Sequence, residues 1–204
     1  RLRNVQGDRG LLDQRWRDIA ATGVPNYFGE QRFGRGGNNL LRAVELMDAH
    51  ARIWRERKNQ FVTSAVRSWL FNHVLADRVV QHDWQNPVEG EPLEFATAPL
   101  WGRGRALPAS PLLEREQMLL APYAMFCDKL EHLGLQQERR ALSLLPTCVG
   151  ATWESHDWLL SFFLPPGTYA TSVLREILVL EKVQQDREGC VGGLPESACD
   201  IVTP

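Results

Sequence analysis

Three features of the sequence predict an α+β fold. Hydrophobic residues recur at helical spacing through most of the chain up to Pro146. β-branched and aromatic residues take over after Pro146. A helical period then returns in "GTYATSVLREILVLE". One helix, a long helical middle, then strands and a helix is the order that a helical insertion within an α+β domain would produce. The chain has 204 residues, 44% hydrophobic and 24% charged, enough for a sizeable apolar core. No run of eighteen apolar residues suggests a membrane helix, and "RLRNVQGDRG" has no apolar signal-peptide core.

Taken in order, "GLLDQRWRDIAATG" predicts a helix with Leu12, Trp16, Ile19 and Ala20 on one face, ended by Gly23. The next stretch, "VPNYFGEQRFGRGGNN", has neither a helical nor a strand period. Asn38 or Asn39 is the expected N-cap of "LLRAVELMDAHARIW", where Leu40, Val44, Met47 and Ala51 recur at helical spacing. "RERKNQ" is a short basic connection. "QFVTSAVRSWLFNHVLADRVV" gives the strongest helix. Its rows Phe61, Ala65, Trp69, His73 and Val62, Val66, Leu70, Val74 form a wide apolar face. His73 on that face reads as a core or edge histidine, since no second His or Cys is in register with it.

The stretch from Gln81 to Pro111 is rich in Pro and Gly, with a short strand expected at "PLEF". "LLEREQMLLAPYAMFCDKLEHLG" predicts a helix broken near Pro122, and "LQQERRALSLLP" a further short helix closed by Pro146. "TCVGATWES" and "DWLLSFFLP" predict a β-hairpin. In the last helix Val173, Ile177 and Leu180 share one side, and from Val183 onward a loose tail is expected. The four cysteines, Cys127, Cys148, Cys190 and Cys199, form no CxxC pair and read as reduced thiols, with a Cys190–Cys199 disulfide as the lesser alternative.

Net charge is −2, but it is unevenly spread. Residues 1–60 hold 12 Arg and Lys against 7 Asp and Glu, and eleven of those cations are arginine. Arginine offers a planar fork for phosphate and a face for stacking on bases. A solvated surface of mixed charge accounts for the same distribution. GxSxG, HExxH and Walker motifs are absent, and "GRGG" before a helix fails the spacing of nucleotide-binding loops.

The phrase "GVPNYFGEQRFGRGG" is more specific. It resembles the TruD family of tRNA pseudouridine synthases, whose signature PNYFGxQRFG is matched by Pro25, Asn26, Tyr27, Phe28, Gly29, Gln31, Arg32, Phe33 and Gly34. "SAVRSWLFNHVLADRV", "APLWGRG" and "LPPGTYATSVLREIL" resemble further family phrases in the same order, and the likeness runs from residue 1 to about 182.

The resemblance implies part of a mixed pseudouridine-synthase catalytic domain, residues 1–22 and 146–182, interrupted by a mostly helical insertion domain at 23–145. It implies a uridine-to-pseudouridine isomerase acting on tRNA, at uridine 13 in bacterial members. The glycosidic bond breaks, the uracil turns and C5 rejoins the ribose. No cofactor, metal or membrane partner is implied, and a cytoplasmic monomer is expected. Asn26, Tyr27, Phe28, Gln31, Arg32 and Arg35 would bind RNA at the cleft. Val173, Arg175 and Glu176 would line the active site. Alternatively, the aromatics pack a domain junction, and Arg175 with Glu176 is a helix surface.

The family's catalytic aspartate sits in a GxKDxxAxTxQ phrase and its uracil-stacking aromatic in GNxF, and neither phrase occurs in these residues. No catalytic residue is therefore assigned; Asp77, Asp83 and Asp157 stand in other contexts. The sequence reads as a partial copy, lacking an N-terminal part and an internal loop near residues 88–98, and inactive alone. The alternative is a non-catalytic RNA-binding remnant that keeps the insertion domain.

Overall fold

In a computed structural model, residues 1–180 are described. The Asp8 carboxylate accepts the Leu11 N–H at 3.0 Å and so caps α1, Arg9–Thr22. The helix stops where Gly23 turns to φ 77°. A side chain at Gly23 would also meet the Leu144 carbonyl oxygen at 2.8 Å, so glycine serves both the turn and the close approach. β1, Val24–Pro25, leads into 3-10 turns at Glu30–Phe33 and Arg35–Gly37.

α2 spans Asn38–Glu45 and α3 spans Ala51–Trp54. The single helix expected over this stretch is thus broken. The Trp54 indole donates to the Leu46 carbonyl at 2.7 Å, which folds the second piece back on the first. The inward residues of α2 and its end are Ala43 and Leu46, whereas Val44 is exposed. Neither asparagine is the cap: Gly37 holds that position, and Asn39 instead donates to the Arg32 carbonyl at 3.3 Å.

α4, Val62–Val80, is the expected long helix. Its Val62, Val66, Leu70 and Val74 row is wholly buried. In the Phe61 row only Ala65 is wholly buried; Phe61 is exposed, and Trp69 and His73 are half-buried. The Pro- and Gly-rich stretch that follows is organised by Arg78. Its guanidinium donates to the Asp83 and Asn86 carbonyls and to the carboxylates of Asp83 and Glu91. A buried cation thereby does for this stretch what a regular ladder does elsewhere. The strand lies a little later than "PLEF", at β2, Thr97–Leu100.

α5, Leu112–Leu120, and α6, Ala124–His132, flank a 3-10 turn that contains Pro122. The helix expected at "LQQERRALSLLP" is instead two strands, β3 (Glu138–Ala141) and β4 (Ser143–Leu144). β3 pairs antiparallel with β2, and β4 with β1. Pairing overrides the helical propensity of Glu, Arg and Leu here. Leu142 and Leu144 are buried at two-residue spacing, as a strand requires. β5, Thr147–Glu154, and β6, Asp157–Phe163, form the expected hairpin. Leu2 adds an antiparallel bridge to Trp158. The final helix, α7, is short, Ala170–Arg175.

Two hydrophobic cores result. The first gathers Phe28, Leu46, Trp54, Val66, Leu70, Phe71, Leu130 and Leu142 around α4. The second gathers Leu12, Trp16, Ile19, Val24, Leu144, Trp158, Val173 and Ile177 between α1, the hairpin and α7. The tail from Val183 and the Cys190–Cys199 pair lie outside the described residues. Cys127 is buried and Cys148 exposed, both as free thiols.

Candidate RNA-binding site

The aromatic loop crosses from one core to the other: Val24 belongs to the second and Phe28 to the first. Its backbone is pinned at each step. The Asn26 N–H donates to the Leu142 carbonyl at 2.8 Å, and its side-chain amide donates to the Ala141 carbonyl at 2.9 Å. The Tyr27 carbonyl accepts the Ser172 hydroxyl at 3.0 Å, which ties the loop to α7. Asn72 of α4 then pairs twice with the Phe28 backbone, accepting its N–H and donating to its carbonyl, both at 3.0 Å. The irregular sequence is therefore not an open linker. Side chains replace a ladder in satisfying its buried polar groups.

The Phe28 ring is buried and meets Phe71 and Tyr169 edge-on, at 5.4 Å and 5.9 Å between centroids. Arg140 lies over the ring at 4.1 Å and Arg32 at 5.3 Å. Among the described residues neither arginine forms an ion pair, and the Nε of each is buried without a hydrogen-bond partner. Burial, and the neighbouring Arg32 charge, bring the Arg140 guanidinium down to about 10, against a favourable contribution from Tyr169.

A cavity of about 260 Å³ opens beside this cluster, lined by residues that include Tyr27, Phe28, Phe33, Asn72, Ser172, Arg175 and Glu176. Burial, and secondarily the Glu176 carboxylate, raise the Tyr27 phenol above its usual range. Partial loss of water at the cavity likewise raises the Glu176 carboxyl, although the residue as a whole is exposed. Arg175 forms an exposed ion pair with Glu30 at 2.6 Å. Thr171 donates to Gln31 at 3.2 Å, a third tie between the loop and α7.

The structure thus brings Tyr27, Phe28, Arg175 and Glu176 together around one hollow. Asn26, Gln31 and Arg32 stand in the same cluster without lining it. Arg35 is exposed on the next turn, and Val173 is wholly buried in the second core behind Ser172. Arg140, Asn72 and Ser172 are additions that the sequence reading did not place at the site. The Arg139–Arg140 doublet carried a signal, but it was hidden inside an expected helix. Asp77 and Asp83 are held by Arg115, and Asp157 faces Arg1 and the Asn4 N–H, so none of them reaches the cavity lining. No group of three potential metal ligands gathers among the described residues.

Comparison with known proteins fits the loop's signature. A family profile for tRNA pseudouridine synthase D (TruD) matches residues 94–177. A tRNA pseudouridine synthase D of Cellvibrio japonicus is 46% identical over 185 residues, covering 90% of this chain and 55% of that protein. The chain is similar to proteins of the TruD family over most of its length. A second TruD protein, from Pseudomonas aeruginosa, is 37% identical over 223 residues, covering 93% of this chain and 61% of its own. The crystal structure of a TruD-type protein from Methanosarcina mazei shares the fold, with a TM-score of 0.58 at 20% identity, over 82% of this chain and 64% of that one. The chain spans little more than half the length of the curated TruD relatives it matches. No helix among the described residues is long and apolar enough to cross a membrane.

Proposed function

We propose that this chain supplies the tRNA-binding cleft, and part of the pocket, of a TruD-type pseudouridine synthase that isomerises uridine to pseudouridine, at uridine 13 in bacterial tRNA. The observation that carries the reading is the meeting of the aromatic loop and the closing motif at one cavity, with two arginines beside it that have no carboxylate partner among the described residues. Aromatic faces and unneutralised guanidiniums suit RNA whose bases are splayed out of the stack. On this reading Arg32 and Arg35 hold phosphates, Asn26 and Gln31 fix the loop, and Tyr27, Phe28, Arg175 and Glu176 bound the space for the nucleotide. Val173 supports that space from behind. On this reading the core around α4 belongs to the insertion domain expected at 23–145, whose two ends, Val24 and Leu144, pack in the second core, and residues 1–22 with 146–182 are a portion of the catalytic domain.

The isomerisation needs a carboxylate within bonding or hydrogen-bonding reach of the reacting nucleotide. The family takes it from a phrase that these 204 residues do not contain. The 204-residue chain is therefore expected to bind tRNA without forming pseudouridine. Incubation with unmodified tRNA, followed by chemical derivatisation and primer extension, tests this. Addition of an upstream segment that bears GxKD and GNxF restores turnover, and Asp→Asn in that phrase abolishes it. Turnover by the chain alone would assign the role to another carboxylate. Failure of the extended protein to turn over while still binding tRNA would favour the non-catalytic RNA-binding reading.

A further inference from the structure

We infer that Arg140 is a positioning residue, which locks the aromatic loop against the closing motif in the shape that receives tRNA. This rests on the RNA-binding reading above. Arg140 touches three separated parts of the chain at once. It sits on β3, donates to the Asn26 side-chain oxygen of the loop at 2.7 Å, and donates to the Gly167 carbonyl ahead of α7 at 3.0 Å. Its flat face covers Phe28 at 4.1 Å and reaches Phe71 at 5.5 Å. Only a planar fork can fill both roles; the point charge of a lysine cannot stack and bond two acceptors in fixed directions.

The neighbouring residue shows that this is a matter of placement rather than of charge. Arg139, on the opposite face of the strand, turns into a buried ionic cluster. It donates to Glu116 at 2.7 Å and to the Thr97 hydroxyl and carbonyl, both at 2.9 Å. Arg139 has carboxylates to neutralise it, whereas Arg140 has none among the described residues. Arg140 therefore also keeps a positive charge beneath the ring that faces the cavity, next to Arg32.

The test compares Arg140→Met, Arg140→Lys and Arg139→Met in the 204-residue chain. Limited trypsin digestion reads the loop directly, as cleavage after Arg32 and Arg35 relative to cleavage after Arg57 and Lys58 in an exposed turn on another part of the chain. Binding of unmodified tRNA and a thermal melt are measured on the same samples. Both Arg140 variants are expected to raise the cleavage ratio by about tenfold, the effect of one lost charge-assisted hydrogen bond. They also weaken tRNA binding, at temperatures where the helical signal is intact. Arg139→Met lowers the melting temperature and leaves the ratio unchanged. Failure of Arg140→Lys to restore the loop supports the fork, and full rescue by lysine overturns it. A ratio unchanged in Arg140→Met, or raised equally in Arg139→Met, also overturns the inference. Absence of tRNA binding by the unmodified chain would overturn the RNA reading beneath it, and the cleavage ratio would still report whether Arg140 holds the loop.

Discussion

The two cores solve the same problem with different materials. The first has charge at its centre: Arg78, Glu91, Arg139 and Glu116 have side chains only 1–4% exposed and are joined by ion pairs. The second has stacked indoles. Trp153 lies flat on Trp158 at 5.0 Å, and Trp16 meets Trp158 edge-on at 6.5 Å. A paired charge tolerates loss of its partner poorly, because the survivor remains buried. An aromatic stack loses contact in proportion to what is removed. The first core is thus built for a single arrangement and the second for graded packing.

Four substitutions separate the two behaviours. The largest loss is expected from Arg78→Met, about 3–5 kcal/mol in urea unfolding, as Glu91 and Asp83 are left short of a partner. Glu91→Gln added to it recovers part of that loss, and no recovery would show that Arg78 acts through packing. Trp158→Ala comes next, at about 3–5 kcal/mol if the hairpin cannot close over the gap. Trp158→Phe costs less than half as much, because the indole N–H is buried without a partner and its removal relieves an unmet donor. Equal losses from the two Trp158 variants would remove the graded picture.

At the loop that joins the cores, the proposed RNA-binding role predicts that Arg32→Ala lowers tRNA affinity and reduces the slope of log affinity against log salt by roughly 1. No change in either quantity would make Arg32 purely structural. The smallest effect is a pH slope. His73 packs 4.3 Å from Trp69 and 4.8 Å from Tyr123, and burial lowers its pKa. The unfolded chain then takes up a proton before the folded one does. Stability is highest above pH 6.5 and declines as pH falls through the window between the unfolded and folded values. His73→Gln flattens that decline, and an unchanged slope would point to other groups.

What could be read in the sequence was whatever rests on a long regular period. α4 shows one buried valine-and-leucine row over four turns, α1 carries its own cap and stop, and the hairpin follows its β-branched composition. Residues 138–144 could not be read because "ERRALSL" favours helix locally. Its strand form depends on partners some forty and some hundred and twenty residues away, at 97–100 and 24–25. The candidate site divides the same way. Tyr27, Phe28 and Arg32 stood out by their shared phrase, and Arg175 and Glu176 by theirs. Arg140 carries no local signal beyond a charged doublet, and its role exists only once β3 is a strand.

The opposed faces of Arg139 and Arg140 also bear on which changes of length this segment can survive. A strand alternates its faces at every residue, so an added or deleted residue upstream in β3 would exchange the two arginines. The one evolved against carboxylates would meet a phenylalanine, and its neighbour would enter a nest of acids whose donors point elsewhere. The run from 138 to 144 should therefore change by substitution alone, and the residues just ahead of it are held too, because Leu135 and Gln137 bond the Arg103 backbone.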